Sequence, residues 1–408
     1  MTYENLYSVL KKENEAGNNN FVIGENELHI SSVEFVSNSA LFNPLNEEKK
    51  FGKRLFNSLL NYYLGRNKFS KEYIFNVLNK ADETVMENNR FRYFLLGRNE
   101  LVKSKSVIVL LHGLNERSWD KYLPWAFELH RQTGKSILMF PLAFHMNRAP
   151  REWSDPRLMQ QVSIERANLL PGIQCSSFAN AALSTRIQFL PKRFLLSGLQ
   201  TFEDINSLIS QIRTGNNYLV DKDAEIDFFS YSIGAFLAEI LFMCDYNNLY
   251  SGSRLFNFCG GSTLDLTMPV SKAIMDSEAD TTLKEYYSTE FEKDIERDEL
   301  LSDRLKQLDD SGLSFMSMLS IEKFKKFREE RLSQMKNRLK TLILSKDKVF
   351  SPSALLKTFP DNSSGKVLIK DYNYSYTHEN PFPLKKEINQ IVDFAFSETM
   401  SLVSAFLR

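Results

Sequence analysis

Ser232 is the residue of this 408-residue chain whose surroundings are best suited to nucleophilic chemistry. It lies between a short apolar run of β-forming residues, 226–229, and a longer apolar run of good helix formers, 233–241. This pattern predicts a buried strand that turns sharply into a buried helix. Ser230 and Gly234 are small, so they would let strand and helix approach closely and the hydroxyl project from the turn. Such a hydroxyl becomes a nucleophile when a nearby base takes its proton.

The sequence Ser230-Tyr231-Ser232-Ile233-Gly234 resembles the G-x-S-x-G nucleophile elbow of the α/β-hydrolase superfamily. Ser230 replaces the first glycine of that pattern, which tightens a crowded turn but keeps the side chain small. The resemblance covers residues 91–145, 220–262 and 339–408, where further motifs of the superfamily occur in the expected order. The chain as a whole is similar to an uncharacterised bacterial branch of the superfamily.

The resemblance implies that an acid and then a histidine follow the serine along the chain. His378 is the only one of the five histidines that lies after Ser232, and it comes just past the last predicted strand. Asp347 follows the penultimate predicted strand and precedes a short apolar pair and a proline, as the acid of the superfamily does. Asp265, after the preceding strand, is the alternative acid. We predict Ser232 as the nucleophile, His378 as general base and acid, and Asp347 as the group that orients the histidine.

Two backbone N–H groups are expected to stabilise the negative charge that develops on the substrate carbonyl oxygen. The resemblance implies that one belongs to Ile233, directly after the nucleophile, and the other to the loop after the strand that ends at Leu111. His112-Gly113 in that loop resembles the oxyanion-loop dipeptide of the superfamily, which makes Leu114 the second donor. His112 is then expected to be structural rather than catalytic.

Two arginines follow the predicted strand that ends at Phe140, next to the mouth of the predicted site. Arg148 and Arg151 could bind a carboxylate or phosphate of the substrate through paired N–H groups. The alternative is that they lie on a solvated loop, where charged side chains contribute little. His145 has the same two interpretations.

Alternating strand and helix patterns from residue 91 onwards predict an α/β protein with a doubly wound, mostly parallel sheet. The continuous aliphatic run 106–111 is typical of a strand buried on both faces. In such sheets the ligand site lies beyond the carboxyl ends of the strands, and the candidate triad residues all follow predicted strands. The predicted strands are 28–36, 91–96, 106–111, 136–140, 226–229, 253–259, 339–344 and 366–370. The predicted helices are 51–64, 73–81, 119–132, 202–212 and the amphipathic C-terminal segment.

Four segments are predicted along the chain. Residues 1–90 are expected to be an N-terminal extension packed on the core. Residues 91–264 form the first part of the hydrolase core, with an insertion at 145–215 that covers one side of the site. Residues 265–338 have the pattern of an almost uninterrupted polar helix, which we interpret as a helical cap; the alternative is an ordinary helical excursion. Residues 339–408 complete the core.

The composition excludes several other classes of function. Lys plus Arg and Asp plus Glu both number 51, so no net charge favours nucleic acid or an anionic membrane surface. Three isolated cysteines indicate neither a disulfide framework nor a zinc site and fit a reducing compartment. No apolar run reaches the roughly 20 residues of a membrane span, and the polar N-terminus has no signal-peptide pattern. We therefore expect a soluble, cytoplasmic protein, and no motif implies a metal or cofactor.

The sequence thus predicts an enzyme that hydrolyses a small or medium-sized ester or thioester through an acyl-enzyme on Ser232. Esters and thioesters are favoured over amides only because the superfamily is weighted that way. One alternative is a non-catalytic protein of the same fold that binds a ligand or partner in the pocket. A second alternative is an amidase or peptidase. The presence of all three triad side chains favours the enzyme.

Overall fold

The strands of this protein form a single mixed sheet. The computed structural model describes residues 1–23, 26–38, 70–97, 102–298, 302, 305, 310–335, 337–359 and 367–408. Within these residues the strands are β1 (Asn20–Ile23), β2 (Asn26–Val36), β3 (Arg90–Gly97), β4 (Ser104–Leu111), β5 (Ser136–Phe140), β6 (Val220–Tyr231), β7 (Leu255–Phe258), β8 (Leu339–Leu344) and β9 (Val367–Lys370). Their order across the sheet is β1-β2-β3-β5-β4-β6-β7-β8-β9.

Most of the sheet is parallel, as the aliphatic runs predict. From β5 to β9 every neighbouring pair is parallel, whereas β3 pairs antiparallel with β5, β2 with β3, and β1 with β2. The last five residues of β4 are each at most 1% exposed, as expected for a strand covered on both faces. The prediction of an α/β-hydrolase fold is confirmed by this mostly parallel sheet with its flanking helices. Because parallel strands end at the same edge, the loops that follow them meet there.

Helices flank the sheet and connect its strands. The α-helices among the described residues are α1 (Tyr3–Glu15), α2 (Lys71–Leu78), α3 (Met86–Asn89), α4 (Leu123–Thr133), α5 (Pro156–Leu169), α6 (Ala181–Phe189), α7 (Arg193–Arg213), α8 (Ile233–Cys244), α9 (Ser277–Glu285), α10 (Phe291–Arg297), α11 (Asp310–Leu319), α12 (Lys325–Gln334), α13 (Pro352–Thr358) and α14 (Asn389–Leu407). α4 packs on α14, and α1 packs on both. α7 and α8 pack on β6, so they belong to the layers that cover the sheet.

Several predicted boundaries differ from those observed. The helix predicted over 119–132 begins only at Leu123, where Pro124 takes one of the first helical positions, which need no N–H. The helix predicted over 202–212 is the second half of α7, which begins at Arg193. β5 and β8 have the predicted bounds. The helix predicted over 51–64 lies outside the described residues.

The predicted insertion and the predicted cap each divide into two parts. In the insertion, α7 packs on the sheet, whereas α5 and α6 pack on each other. In the cap, α9 packs on α6, whereas α11 packs on α8 in the sheet's own helical layer. The prediction of an almost continuous helix over 265–338 is wrong, because a loop containing Pro269 precedes α9 and a second loop, 320–324, separates α11 from α12.

The N-terminal segment contributes strands to the sheet rather than only packing on it. β2 pairs along its length with β3, from His29 opposite Gly97 to Val36 opposite Arg90. Leu28 and Ile30 in the first part of β2, and Val33 and Phe35 in its second part, are buried. In the part of the chain that the structure describes, no helix is long and apolar enough to cross a membrane.

Candidate active site

Ser232 lies at a sharp turn between β6 and α8. Its backbone has φ 58° and ψ −123°, and α8 begins at the next residue. A residue other than glycine is rarely found at positive φ and costs of order 1–3 kcal/mol there. The amide of Ser232 donates to the carbonyl oxygen of Phe258 at 3.2 Å, which ties the turn to the end of β7. The local geometry is that of a strained strand-to-helix elbow.

Small residues around the turn allow this close approach. A Cβ atom on Gly234 would lie 2.7 Å from the carbonyl oxygen of His112, and one on Gly260 would lie 2.4 Å from that of Ser232. Ser230, which replaces the first glycine of the pattern, is fully buried. In the sequence, Gly260 is only the residue that follows the predicted strand 253–259. Its contact with the elbow depends on the pairing of β6 with β7, which no local pattern shows.

Ser232, His378 and Asp347 form a continuous chain of hydrogen bonds. Ser232 Oγ lies 2.7 Å from His378 Nε2, and His378 Nδ1 lies 2.7 Å from Asp347 Oδ2. The second carboxylate oxygen of Asp347 accepts from the amides of Val349 at 2.9 Å and Phe350 at 3.0 Å. The three side chains come from the loops after β6, β8 and β9. A carboxylate on Nδ1–H leaves the lone pair of Nε2 to accept from the serine hydroxyl.

Asp265, the alternative acid, lies elsewhere. It is exposed, and one carboxylate oxygen accepts from the hydroxyl of Thr263 at 2.6 Å. The other accepts from the amide of Ile321 at 2.9 Å. Both oxygens of Asp265 thus accept hydrogen bonds from groups other than His378, whereas Asp347 contacts His378 Nδ1.

Two aromatic rings contact the imidazole of His378. The ring of Tyr231 is stacked on it, with centroids 5.3 Å apart and an angle of 11°, and the ring of Phe350 lies 5.5 Å away. The Tyr231 hydroxyl also donates to the carbonyl oxygen of His378. Burial raises the pKa of Tyr231 well above its usual value, so the hydroxyl keeps the proton that it donates. The sequence analysis assigned no role to Tyr231, although it lies inside the elbow motif.

The loop after β4 is held by the side chain of His112. His112 Nδ1 lies 2.8 Å from the carbonyl oxygen of Gly113, and Nε2 lies 2.9 Å from the amide of Leu142. Burial lowers the pKa of His112 well below its usual value. The neutral ring therefore donates through Nδ1 and accepts through Nε2. The amide of Gly113 in turn donates to the hydroxyl of Tyr122 at 2.9 Å, which fixes the second peptide of the loop.

Leu114 and Ile233, the two predicted oxyanion donors, border the same cavity as Ser232. Ile233 is the first residue of α8, so its N–H has no acceptor within the helix. The N-terminus of α8 also favours negative charge at this point. The two residues therefore border the cavity at Ser232 from two sides of the chain, Leu114 in the loop after β4 and Ile233 at the start of α8.

Arg148, predicted to bind substrate, is not available to a substrate. Its side chain is fully buried and pairs with Asp204 at 2.7 Å. It also donates to the carbonyl oxygen of Pro141 at 3.1 Å and lies 3.9 Å from the ring centre of Phe91. Its donors are used within the fold, and the prediction for this residue is wrong. Arg151 is exposed on a short 3₁₀ turn and lines none of the cavities described below.

Three adjoining cavities lie around the site. The cavity at Ser232 has a volume of about 400 Å³ and is lined by apolar side chains, including Leu264, Ile274, Met275, Leu283, Val349 and Phe350. A second, of about 500 Å³, shares Leu114, Phe194, Ile233 and Phe236 with it. A third, of about 730 Å³, shares Leu114, His145, Phe194 and Ser197 with the second. Burial lowers the pKa of His145, which lies between the second and third cavities, to about 4.

Cys259 is a further residue next to the site that the sequence analysis did not use. It follows β7 with φ 49° and is 1% exposed. Burial, and after it the neighbouring Asp347 carboxylate, raises the pKa of the thiol well above its usual value. The thiol thus remains protonated beside the carboxylate, and its isolated position in the sequence gave no sign of this contact.

Similar solved structures include esterases and a peptidase. Esterase Est22 is 11% identical, with a TM-score of 0.43 over 99% of this chain and 86% of that one. Carboxyl esterase 2 from the mycorrhizal fungus Tuber melanosporum is 9% identical, with a TM-score of 0.41 over 78% and 84%. The acylaminoacyl peptidase of Pyrococcus horikoshii is 12% identical, with a TM-score of 0.39 over 78% and 40%. TM-scores below 0.5 support no inference about activity.

Among curated proteins, none matches this chain. A family model matches it over residues 1–408, and its description is a family of unknown function, DUF6051. Because that match covers the whole chain, the protein belongs to the DUF6051 family.

Proposed function

We propose that this protein is a serine hydrolase that cleaves an ester or thioester through an acyl-enzyme on Ser232. The observation that carries the proposal is the pair of 2.7 Å contacts that join Ser232 Oγ to His378 Nε2 and His378 Nδ1 to Asp347 Oδ2. A serine hydroxyl is a weak nucleophile unless a base accepts its proton, and an imidazole oriented by a carboxylate is such a base.

In the first half of the reaction, Ser232 Oγ attacks the substrate carbonyl carbon while its proton passes to His378 Nε2. The carbonyl oxygen becomes an oxyanion, which accepts hydrogen bonds from the amides of Leu114 and Ile233. When the tetrahedral intermediate collapses, the bond to the leaving alcohol or thiol breaks. The leaving group takes the proton from His378, and the acyl group stays on Ser232 as an ester.

In the second half, water attacks the acyl-enzyme and gives its proton to His378 Nε2. The same two amides hold the second oxyanion, and its collapse releases the carboxylic acid and returns the proton to Ser232 Oγ. In this mechanism the Asp347 carboxylate stabilises the imidazolium that forms twice per cycle. The ring contacts of Tyr231 and Phe350 support the mechanism, because they keep the imidazole in one orientation.

The cavity next to Ser232 favours an apolar acyl group or alcohol. Leu264, Ile274, Met275 and Leu283 come from the segment before and within α9, and they line this cavity opposite the acid loop. We assign this segment, together with α6 on which α9 packs, to a cap over the site. Desolvation of the ester by such a cap would strengthen the hydrogen bonds of the oxyanion.

The test is labelling with a fluorophosphonate probe, which reacts with activated serines. We expect the wild type to be labelled and Ser232→Ala not to be, since the bond to phosphorus forms at Ser232 Oγ. Hydrolysis of p-nitrophenyl butyrate should fall in parallel, by about 10⁴-fold or more. Ser251→Ala is the matched control, because Ser251 is exposed and only donates to the carbonyl oxygen of Asn248.

A folded wild type that is neither labelled nor active on any ester or thioester would contradict the proposal and favour a non-catalytic binding protein. Labelling that persists in Ser232→Ala would contradict the choice of nucleophile. Activity on aryl amides or peptides above that on esters would instead favour an amidase or peptidase.

A further inference from the structure

The third cavity, which shares Leu114 and Phe194 with the cavity at Ser232, has an excess of positive charge in its lining. Its charged lining residues are Asp82, Glu116, Arg117, Arg186 and Arg193. Glu116 pairs with Lys121, which lies outside the lining. His145 in the same wall is neutral, because burial lowers its pKa to about 4. The lining therefore holds three guanidinium groups and one carboxylate that is free to balance them.

Arg186 and Arg193 share that single carboxylate. Arg186 Nη2 pairs with Asp82 Oδ1, and Arg193 Nε lies 3.2 Å from both oxygens of Asp82. Each arginine is 5% exposed. Burial, and after it the charge of Arg193, lowers the pKa of Arg186 to about 9. One carboxylate thus leaves a positive charge uncompensated in a buried place, where charges are normally paired.

The rest of the cavity holds these arginines in place. Arg186 donates to the carbonyl oxygens of Leu78 at 2.8 Å and Lys80 at 3.1 Å, and its guanidinium lies 4.1 Å from the ring centre of Trp153. Arg193 donates to the carbonyl oxygen of Arg186 at 3.2 Å. These bonds fix both side chains before any ligand arrives, which reduces the entropy lost on binding.

Arg117 adds a second uncompensated charge on the side of the oxyanion loop. It is partly buried and donates to the carbonyl oxygen of Ala179 at 2.5 Å, and no carboxylate among the described residues pairs with it. Burial lowers the pKa of Arg117. Arg117 is three residues after Leu114, the proposed oxyanion donor. The guanidinium group of Arg117 therefore belongs to the same loop as the proposed oxyanion donor.

The three cavities adjoin one another, because Leu114 and Phe194 line all of them. Aliphatic side chains line much of the cavity at Ser232, whereas three arginines belong to the lining of the third cavity. A ligand that fits has an apolar part beside the ester and an anion at its far end.

We propose that the substrate of this hydrolase is an ester or thioester whose far end carries a carboxylate or phosphate, bound by Arg117 and the Arg186–Arg193 pair. The proposal rests on the proposed function, since it names the substrate of the same site. An arginine fork binds either anion through two parallel N–H···O bonds. The anion would balance the positive charge of the arginines that Asp82 alone leaves uncompensated.

The test compares matched esters that differ only in the terminal group. Mono-p-nitrophenyl esters of succinate, adipate and suberate are compared with p-nitrophenyl esters of the monocarboxylic acids of equal length. Hexanoyl esters of ω-hydroxy acids, compared with hexanoyl esters of n-alcohols, place the carboxylate on the alcohol side. We expect kcat/KM to favour the carboxylate by about tenfold or more for at least one length in one of the two sets.

Arg117→Gln and Arg193→Gln should remove this preference, so that each variant has equal kcat/KM, within about twofold, for the anionic and the neutral ester of the same length. Arg193→Gln leaves Arg186 and Asp82 as a one-to-one pair, and Arg117→Gln changes a partly exposed side chain, so a failure of one variant to fold leaves the other as the test. Arg157→Gln, at an exposed position of α5, is the control and should keep the preference. Competition by adipate or by inorganic phosphate against a neutral ester distinguishes the two anions.

Equal kcat/KM for neutral and anionic esters at every length, in both sets, would overturn this inference and leave the proposed function intact. A preference that survives in both folded variants would overturn it as well. If no ester is hydrolysed, the proposed function fails, and calorimetric titration with adipate and with phosphate still tests the anion site. Binding that is lost in Arg117→Gln would support the site, and the absence of binding would overturn it.

Discussion

Two buried polar clusters lie at and next to the elbow, and they differ in how many of their polar atoms have a hydrogen-bond partner. The first consists of Ser232, His378 and Asp347, whose groups form one continuous chain. The second, here called the rear cluster, consists of four fully buried residues of β6, α8, β7 and β8: Ser230, Glu239, Asn257 and Thr341. In the rear cluster each residue has a polar oxygen that accepts or donates no hydrogen bond within the described part of the chain.

The rear cluster is a row across the sheet covered by one helix. Ser230, Asn257 and Thr341 are neighbours in strand register, and Glu239 comes from α8. Its one bond within the row runs from Asn257 Nδ2 to Glu239 Oε1 at 2.7 Å. Burial raises the pKa of Glu239 well above its usual value, although Arg328 and Asn257 act in the opposite direction. The serines of the two clusters are two residues apart, Ser230 within β6 and Ser232 directly after it. We propose that the first cluster moves a proton, whereas in the second the raised pKa of Glu239 favours its protonated form.

The largest effect is expected from breaking the first cluster at its acid. Asp347→Asn keeps an oxygen that can accept from Val349 and Phe350 but removes the negative charge that supports the imidazolium. We expect kcat for ester hydrolysis to fall by about 10⁴-fold with the fold retained. Steady-state kinetics and circular dichroism measure the two quantities.

Asp265→Asn is the matched control for this prediction. Asp265 bonds to Thr263 and Ile321 rather than to His378, so kcat should stay within about twofold of wild type. The opposite result, with Asp265→Asn inactive and Asp347→Asn active, would show that Asp265 is the acid.

The next largest effect is expected from replacing Glu239 of the rear cluster, and it concerns how stability depends on pH. The pKa of Glu239 is raised in the folded state, so above the unfolded pKa of about 4.3 the unfolded chain ionises while the folded chain stays protonated. The free energy of unfolding of the wild type then falls by about 1.4 kcal/mol per pH unit from this residue alone. Glu239→Gln removes the titrating group, so its stability relative to wild type should rise between pH 5 and pH 7.

Urea denaturation of both proteins at pH 5, 6 and 7 measures this difference. Equal m-values would show that the two proteins expose the same surface on unfolding, so that the difference in stability is attributable to the residue. A stability gap that stays constant with pH, or that narrows as pH rises, would mean that Glu239 is ionised in the folded protein.

The smallest effect is expected from the unpartnered hydroxyl of Thr341. Thr341→Val keeps the shape of the side chain and removes a buried hydroxyl that has no hydrogen-bond partner among the described residues. We expect the free energy of unfolding to be unchanged or to rise by about 1 kcal/mol. Denaturation at a single pH is sufficient to measure it.

Thr399→Val provides the contrast, because Thr399 is equally buried but its hydroxyl lies 3.0 Å from the hydroxyl of Tyr372. That variant should lose about 1 kcal/mol. If Thr341→Val lost as much as Thr399→Val, the two hydroxyls would be equally well satisfied, and the contrast between the two clusters would disappear at this position.

The sequence predicted the features that local patterns encode. The bounds of β5 and β8 and the strand-to-helix turn at Ser232 follow from short apolar runs and from the small residues between them. The resemblance to a superfamily supplied the long-range part, namely which acid and which histidine follow the serine. The structure brings these three side chains together, and their catalytic roles stay a prediction until the experiments above are done.

Features that depend on contacts between distant residues were not predicted. Arg148 was chosen from its place after a strand, but its ion pair with Asp204, 56 residues away, buries it. Asp82 lies 104 residues from Arg186, and no pattern links the two. Glu239 of α8 bonds to Asn257 of β7, 18 residues away, and no local pattern links the two.

The hydrogen bond from Tyr231 to the carbonyl oxygen of His378 ties the proposed base to the strand that carries the nucleophile. Tyr231 is the last residue of β6, directly before Ser232. A displacement of the segment after β9 would have to break this tether before it could separate hydroxyl from imidazole. The hydroxyl of Ser232 and the imidazole of His378 are therefore linked through β6 as well as by their own contact, and a displacement of the proposed cap would leave this link in place.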